Sequence, residues 1–189
     1  NFFVPEAYFN GESVNGYNNY NAPIFFPNQV GGYMPAEAGS PGTSRDGVNP
    51  NAIFVALSKG YVVASPGARG RVTKNANGLY TGKAPAAIVD LKAAVRYLHY
   101  NDKVMPGSAN RIVSNGTSAG GALSSLLGAS GNNKDYDKYL KEIGAANASD
   151  AVLVVSAYCP ITNLENADMA YEWLFNGINE YKSLKITQS

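Results

Sequence analysis

Short apolar runs and amphipathic segments alternate along the chain, and they predict strands and helices in turn. Continuous runs rich in β-branched and aromatic residues predict buried strands at residues 22–28, 61–67, 111–116 and 151–160. Helical patterns with capping and terminating residues predict helices at residues 49–60, 84–102, 119–128 and 166–178. Because the apolar strands alternate with helices, we expect one α/β unit with a mainly parallel sheet and helices on both faces.

Two of these elements carry sharper predictions. In the helix at 84–102, Lys92 and Arg96 fall on the side opposite the apolar residues, which predicts a polar outer face. The apolar residues of that helix are Ile88, Leu91, Val95 and Leu98. The run at 151–160 is apolar along its whole length, which predicts a strand in the centre of the sheet.

Composition and charge narrow the function classes. The chain has 189 residues, 45% of them apolar, and a net charge of +1. This suits a single domain with a real core, and it argues against nucleic acid or an anionic membrane surface as the main partner. With one cysteine, Cys159, and one histidine, His99, the chain can form no internal disulfide and no His-based metal site. We therefore expect no metal and no cofactor.

A serine lies between glycines where a predicted strand meets a predicted helix. Residues 116–120, Gly-Thr-Ser-Ala-Gly, match the pattern G-x-S-x-G in the strand-to-helix context that this pattern requires. A nucleophile on such a turn has a strained backbone and needs small neighbours, and the helix that follows directs N–H groups toward its hydroxyl. The sequence favours Ser118 as a nucleophile; the alternative is a close-packed turn with a serine N-cap.

A glycine pair after the strand at 22–28 fits the same chemistry. Acyl transfer needs a second backbone N–H to stabilise the oxyanion, usually from a glycine-containing loop after an earlier strand. Gly31 and Gly32 occupy that place, although Gly-Gly is also a general loop signal. The cationic segment 67–71 follows another strand, and it suits an anion site or, as we favour, a turn held by salt bridges.

The chain contains no base in the position that this chemistry requires. A catalytic histidine is expected after the serine and the acid, whereas His99 precedes Ser118 and has the surroundings of a structural histidine. We therefore expect residues 1–189 to be the N-terminal part of a single catalytic domain, with its C-terminal strands, acid and base in a later segment or companion chain. A lid or insertion is expected to begin at about 163–189.

Several segments together resemble bacterial tannases, the tannin acyl hydrolases of the α/β-hydrolase superfamily, which are related to feruloyl esterases. These segments are APIFFPNQVGGYMP, GYVVASPGARGR, GKAPAAIVDLKAAVRYL, NGTSAGGALSSLLG and SAYCPITNLENADMAYEW. The resemblance implies that Ser118 attacks a galloyl ester to form an acyl-enzyme, with an oxyanion hole from the N–H groups of Gly32 and Ala119. It also implies that Ile161 lies against the aromatic acyl ring, and that the catalytic Asp and His lie beyond residue 189.

Three functions follow from these observations. The leading one is a serine esterase acting on galloyl esters. The second is an esterase for feruloyl or plain carboxylic esters, which would share the machinery but differ in its acyl pocket. The third is a non-catalytic α/β binding fragment whose serine is vestigial. The compartment stays open, with the bacterial cytoplasm as the expectation and secretion as the alternative.

Overall fold

The computed structural model describes residues 1–44, 46–166 and 168–177. The strands are β1 (Phe2–Phe3), β2 (Pro23–Pro27), β3 (Val62–Ala64), β4 (Ser108–Thr117) and β5 (Val154–Tyr158). The α-helices are α1 (Ala52–Ser58), α2 (Ala86–Tyr100), α3 (Ala119–Ala129), α4 (Asp137–Glu142) and α5 (Met169–Phe175). Short 3-10 turns lie at Glu6–Asn10, Lys134–Tyr136 and Leu164–Asn166.

The five strands form one sheet in the order β1-β3-β2-β4-β5. β1 runs antiparallel to β3, and the other neighbours are parallel. The chain passes from β2 to β3 through α1 in one direction, then reverses to β4 and β5 through α2 and α3. Because crossovers of parallel strands are right-handed, this reversal puts α1 on the opposite face from α2 and α3. The predicted α/β architecture is confirmed.

The reversal creates a crevice between neighbouring strands. β2 and β4 are adjacent, but the connections that leave them run in opposite directions. In open parallel sheets, ligand sites form beyond the carboxyl ends of strands at such a switch point. Here the segment after β2 contains Gly31 and Gly32, and Ser118 directly follows β4.

The core lies between the sheet and the α2–α3 layer. Buried side chains of β2 and β4 pack with those of the two helices, and representative members are Ile24, Phe26, Leu91, Val95, Ile112 and Leu127. Lys92 departs from its predicted place on a polar outer face, because it is fully buried and pairs with Asp150. Helical periodicity located this position on the side away from the apolar stripe, but it gave no sign of the segment that covers that side.

The strand predicted at 151–160 is found as β5. It is the outermost strand on its side of the described sheet, and its central position in the whole sheet stays a prediction. Leu153 just before it is 66% exposed, and Tyr158 at its end is 59% exposed. α3 packs against β5, so the strand has helical cover from this helix. An apolar run indicates that a strand suits burial, but it does not identify the element that would cover each face.

Several boundaries differ from the predicted ones for local reasons. β4 begins three residues earlier than predicted, because Ser108–Asn110 continues the strand beyond a register shift beside Pro23. The sequence predicted neither β1, which is two residues long, nor α4, which is six. The predicted helix at 166–178 is found as α5, while residues 167 and 178 lie outside the described residues. The lid expected at 163–189 stays a prediction.

Candidate active site

Ser118 has a backbone conformation that a serine rarely adopts. It joins the end of β4 to the start of α3 with φ 58° and ψ −120°. Its N–H donates to the carbonyl of Tyr158 at 3.0 Å, which fixes the turn to the end of β5. The side chain is exposed and forms no capping hydrogen bond with the helix. The N-cap interpretation therefore does not account for this serine, whose strained backbone supports an exposed hydroxyl.

Three glycines make this tight turn possible. We call residues 115–121 the serine turn. A Cβ on Gly116 would overlap the carbonyl of Gly120, and one on Gly120 would lie 2.6 Å from Oδ1 of Asn28. A Cβ on Gly121 would lie 2.5 Å from the carbonyl oxygen of Tyr158. Each glycine thus lets one backbone segment approach another, which is the reason predicted for small residues around the serine.

Asn28 connects the serine turn to the loop after β2, and sequence reasoning missed it. Its side chain is buried and its Nδ2 donates to the carbonyls of Gly120, at 3.0 Å, and Asn115, at 3.1 Å. The same Nδ2 lies 3.0 Å from Oγ of Ser124, while Oδ1 accepts from the N–H of Val30 at 3.3 Å. The only sequence signal was an amide side chain at the end of an apolar strand.

The glycine pair belongs to a tight turn beside the serine turn. The N–H of Met34 donates to the carbonyl of Gly31 at 3.0 Å, which closes a β-turn. Its two central residues, Gly32 and Tyr33, both have positive φ, at 57° and 56°. This is a type I′ pattern, which glycine adopts freely and tyrosine adopts only under strain. We call residues 31–34 the glycine turn.

Backbone strain concentrates at one edge of the sheet. Five non-glycine residues in the described part of the chain have positive φ. Asn15 and Asn132 are of the type that tolerates this conformation, whereas Tyr33, Ser118 and Cys159 are not. These three follow the carboxyl ends of β2, β4 and β5. Such strain persists only where the surroundings impose it, and it is commonly associated with functional sites.

Two cavities flank this edge, and they separate the predicted site residues. Ser118 lines a cavity of about 660 Å³ together with Gly31. The rest of its wall comes from residues 27–30, 39–40, 51–53 and 115–117. Ile161 lines a different, mostly apolar cavity of about 680 Å³ between α2 and α3, together with Tyr33. The structure thus brings Ser118 and Gly31 to one cavity and Tyr33 and Ile161 to the other, whereas Gly32 lines neither of these two cavities.

The first N–H groups of α3 suit the stabilisation of negative charge beside Ser118. Ala119 is the first residue of this helix and is buried. Helix geometry gives its N–H no intrahelical acceptor, and the helix dipole adds partial positive charge there. An exposed hydroxyl beside such N–H groups can support addition to a carbonyl. Within the ranges that the structure describes, no cluster of three or more His, Cys, Asp and Glu side chains suits a metal ion.

The remaining candidates have structural partners. Nε2 of His99 lies 2.9 Å from the carbonyl oxygen of Ala151, as expected for a structural histidine. Arg69, in the cationic segment 67–71, forms an ion pair with Asp90 at 2.7 Å, so the salt-bridge interpretation holds for this residue. None of the described helices is long and apolar enough to span a membrane.

The mainly parallel sheet, the switch point between β2 and β4 and the serine at a strand-to-helix turn define an α/β-hydrolase fold. Residues 38–186 match the BD-FAE family, which is feruloyl esterase-like, and the chain belongs to this family. No curated protein matches the chain.

Solved structures of tannases resemble the chain over nearly its whole length. The Fusobacterium nucleatum tannase is 66% identical with a TM-score of 0.91, over 98% of this chain and 39% of that one. A tannin acyl hydrolase in complex with ethyl gallate is 56% identical with a TM-score of 0.86, over 94% and 39%. The Lactobacillus plantarum tannase is 53% identical with a TM-score of 0.87, over 99% and 41%. The resemblance to tannases is confirmed, and the chain spans about two fifths of the length of these relatives.

Proposed function

We propose that this chain supplies the nucleophile of a serine esterase that hydrolyses galloyl esters. The observation that carries the proposal is Ser118, with its exposed hydroxyl and strained backbone at the switch point of the sheet. The similarity to tannases supports the reaction class, and the relative in complex with ethyl gallate supports a galloyl substrate. A feruloyl ester is the second candidate substrate, because the chain matches the BD-FAE family.

The proposed reaction proceeds through an acyl-enzyme. Oγ of Ser118 adds to the ester carbonyl carbon while its proton passes to a base, and the carbonyl oxygen becomes an oxyanion. The N–H groups of Ala119 and Gly32 stabilise this charge. The bond to the leaving alcohol then breaks, and the alcohol oxygen takes up the proton. Water attacks the acyl-enzyme in the same manner, which releases gallic acid and restores the serine.

The base and the acid that orients it are proposed to come from residues outside these 189. His99 is engaged with the carbonyl of Ala151, and Asp150 with Lys92 and Arg96. We therefore expect a purified 1–189 chain to show no esterase turnover, and His99→Ala in the full-length protein to keep its activity. Turnover by the 1–189 chain that is lost in His99→Ala would identify His99 as the base instead.

The nucleophile is tested by covalent labelling of the full-length protein. A fluorophosphonate probe should modify Ser118, as located by peptide mass spectrometry, and Ser118→Ala should abolish this labelling. Ser125→Ala is the matched control, because Ser125 lies on the same helix and is half-buried. Labelling that persists in Ser118→Ala, or is lost in Ser125→Ala, would contradict the assignment.

The acyl group is tested at Ile161. It lines the apolar cavity next to that of Ser118, and we propose that the aromatic ring of the acyl group extends into this cavity and contacts it. Ile161 is 40% exposed, so its truncation should cost little stability, in contrast to a core isoleucine. Ile161→Ala should lower kcat/KM for methyl gallate by about 10–200-fold relative to an acetyl ester. Leu79→Ala, an exposed aliphatic truncation away from β5, is the control. Methyl ferulate is measured alongside to distinguish gallic from ferulic acid as the acyl group. If Ile161→Ala leaves the ratio of kcat/KM for methyl gallate and the acetyl ester unchanged but lowers the Tm, Ile161 contributes to packing and does not contact the ring.

A further inference from the structure

The glycine turn is flanked by a second backbone segment that the proposed chemistry does not use. Residues 68–71 run beside residues 33–36 in a short antiparallel arrangement. Ala36 and Ala68 exchange N–H to carbonyl hydrogen bonds in both directions, at 2.9 and 2.8 Å. The N–H of Arg71 donates to the carbonyl of Tyr33 at 2.8 Å. This last bond reaches one of the two central residues of the glycine turn.

Two further glycines press this segment against the turn. A Cβ on Gly70 would overlap the carbonyl carbon of Met34 and the nitrogen of Pro35. A Cβ on Gly82 would overlap the carbonyl oxygen of Gly70. The backbones of residues 82, 70 and 34 are therefore stacked without intervening side chains. A shift of residues 68–71 is transmitted directly to the glycine turn, because close-packed backbone leaves no room to absorb it.

Arg69 anchors this segment to α2. Its backbone N–H donates to Oδ2 of Asp90 at 2.8 Å, and its Nη2 lies 2.7 Å from Oδ1. Nε contacts both carboxylate oxygens, at 3.1 and 3.0 Å, and Nη1 donates to the carbonyl of Thr81 at 3.2 Å. The Asp90 side chain is only 17% exposed. Bidentate pairs of this kind combine strength with a fixed geometry, so one side chain orients residues 69–71 and the segment that contains Gly82.

The conformation of the glycine turn requires such support. Tyr33 at φ 56° costs free energy that neighbouring contacts must offset. On one side, Asn28 ties the loop after β2 to the serine turn. On the other side, the hydrogen bond from Arg71 and the contact with Gly70 hold the turn. The direction of the Gly32 N–H is set by this turn.

We propose that Arg69 is a positioning residue for the esterase reaction, because its ion pair with Asp90 holds the glycine turn in the orientation that presents the Gly32 N–H to the oxyanion. The proposal rests on the function proposed above. Arg69 acts through Gly70 and Arg71 and touches neither the substrate nor Ser118. The cationic segment 67–71 thereby has a role in catalysis that requires no anionic ligand.

The structural part of the proposal is tested by hydrogen exchange on the full-length protein. Asp90→Asn keeps the shape of the side chain but removes the charge that orients Arg69. Peptides covering residues 31–36 should exchange about tenfold faster in this variant, whereas peptides covering α3 should not. Asp137→Asn is the matched control, because Asp137 pairs with another arginine of α2, Arg96, and is exposed. Unchanged exchange at 31–36 would overturn the proposal.

The catalytic part is tested by a split between kcat and KM. Misplacing one oxyanion donor should lower kcat for methyl gallate by about 10–100-fold in Asp90→Asn, with KM little changed. Gly70→Ala should act similarly by moving the turn directly. Gly42→Ala is its control, because a Cβ there would meet no atom closer than 3.8 Å. If Asp90→Asn and Gly70→Ala lose activity only in proportion to the loss of folded protein, and kcat per active site is unchanged, Arg69 has only a stabilising role.

The two proposals fail in distinguishable ways. If Ser118 is not labelled in the wild type and Ser118→Ala keeps turnover, the esterase assignment falls whatever the Arg69 variants do. If Ser118 is labelled but Asp90→Asn and Gly70→Ala keep the wild-type kcat and labelling rate, only the positioning role falls. Slower labelling in both variants, at a rate unchanged in Asp137→Asn and Gly42→Ala, supports both.

Discussion

The serine turn and the cluster around Asp150 are both unusual, but one has a strained backbone without a compensating side-chain contact and the other has buried charges that are fully paired. Ser118 has an exposed hydroxyl on a strained backbone, and no capping bond offsets that strain. Lys92 and Asp150 are charged and fully buried, yet their ion pair of 2.8 Å is joined by Arg96, also at 2.8 Å. The carbonyl of Ser130 accepts from Nζ of Lys92 at 2.6 Å. We call Lys92, Arg96 and Asp150 the buried ion cluster.

This difference is the one expected between a functional site, which we propose for the serine turn, and a structural one. Buried charges that are fully paired serve to connect elements, here α2 with the segments on either side of α4. A strained residue whose side chain gains no contact in return is expected where the reaction, and not the fold, uses that side chain. Substitutions at the two places should therefore affect different quantities, activity in one case and stability in the other.

The largest expected effect is at Ser118. Ser118→Ala should lower kcat in the full-length protein by about four to six orders of magnitude, because no acyl-enzyme forms. Its Tm should change little, because the hydroxyl makes no capping bond. Ser118→Gly, which relieves the positive φ, should be more stable than Ser118→Ala by about 1 kcal/mol in thermal or denaturant unfolding. A large loss of stability in Ser118→Ala would indicate that this serine has a structural role.

The buried ion cluster should show the reverse pattern. Lys92→Met leaves Asp150 buried with one partner fewer, and should lower the free energy of unfolding by about 3–5 kcal/mol. The kcat of the remaining folded protein should stay near that of the wild type. Asp137→Asn removes an exposed partner of Arg96 and should cost about 1 kcal/mol or less. Equal losses in the two variants would contradict the distinction between buried and exposed pairs.

Two glycines of α3 test the packing of the serine turn. Gly121→Ala places a Cβ 2.5 Å from the backbone carbonyl oxygen of Tyr158, which accepts a hydrogen bond from the N–H of Ser118. The free energy of unfolding should therefore fall by about 1–3 kcal/mol, and kcat should fall with it. Gly128→Ala on the same helix meets the side chain of Val155, which is partly exposed and can turn away. The gain in helix propensity, about 1 kcal/mol, should then leave its stability nearly unchanged. Equal stability and equal kcat in Gly121→Ala and Gly128→Ala would show that the serine turn tolerates displacement.

The smallest expected effect is the pH dependence of the buried ion cluster. Burial alone would raise the pKa of Asp150, but hydrogen bonds from Lys92, the backbone N–H of Asn132 and Arg96 outweigh it and lower this pKa below its ordinary value. The unfolded chain then takes up the proton first as the pH falls, so this stabilisation is present above about pH 4 and is lost below it. Urea unfolding between pH 3 and 7 should show the difference between wild type and Asp150→Asn narrowing at low pH. A constant difference would contradict the lowered pKa.

Local signals in the sequence predicted most of the architecture and the position of the serine. The alternation of apolar runs and helical patterns identified β2, β3, β4 and the three helices that connect the strands. The glycines around Ser118 indicated a backbone packed closely against other backbone, and the clashes that a Cβ would cause at 116, 120 and 121 bear this out. These features depend on neighbours within a few residues, which is why sequence reasoning reached them.

Other features depend on residues far apart in the chain. Asn28 reaches Gly120 across 92 positions, and Arg69 reaches Asp90 across 21. In neither pair does the local composition or periodicity around one residue indicate which residue it contacts. The burial of Lys92 likewise depends on Asp150, 58 positions away, so helical spacing alone assigned it to the wrong environment.

By itself, the sequence determined the α/β class, the alternation of elements and the serine between glycines, because each is encoded by short-range sterics and by the period of apolar positions. Only the tertiary structure decided that β5 lies at the border of the described sheet and that Ile161 lines a cavity apart from Ser118. It also decided that residues 68–71 support the glycine turn. These outcomes depend on which segments meet across the fold, and a strand's side-chain pattern is the same whether or not another element covers it.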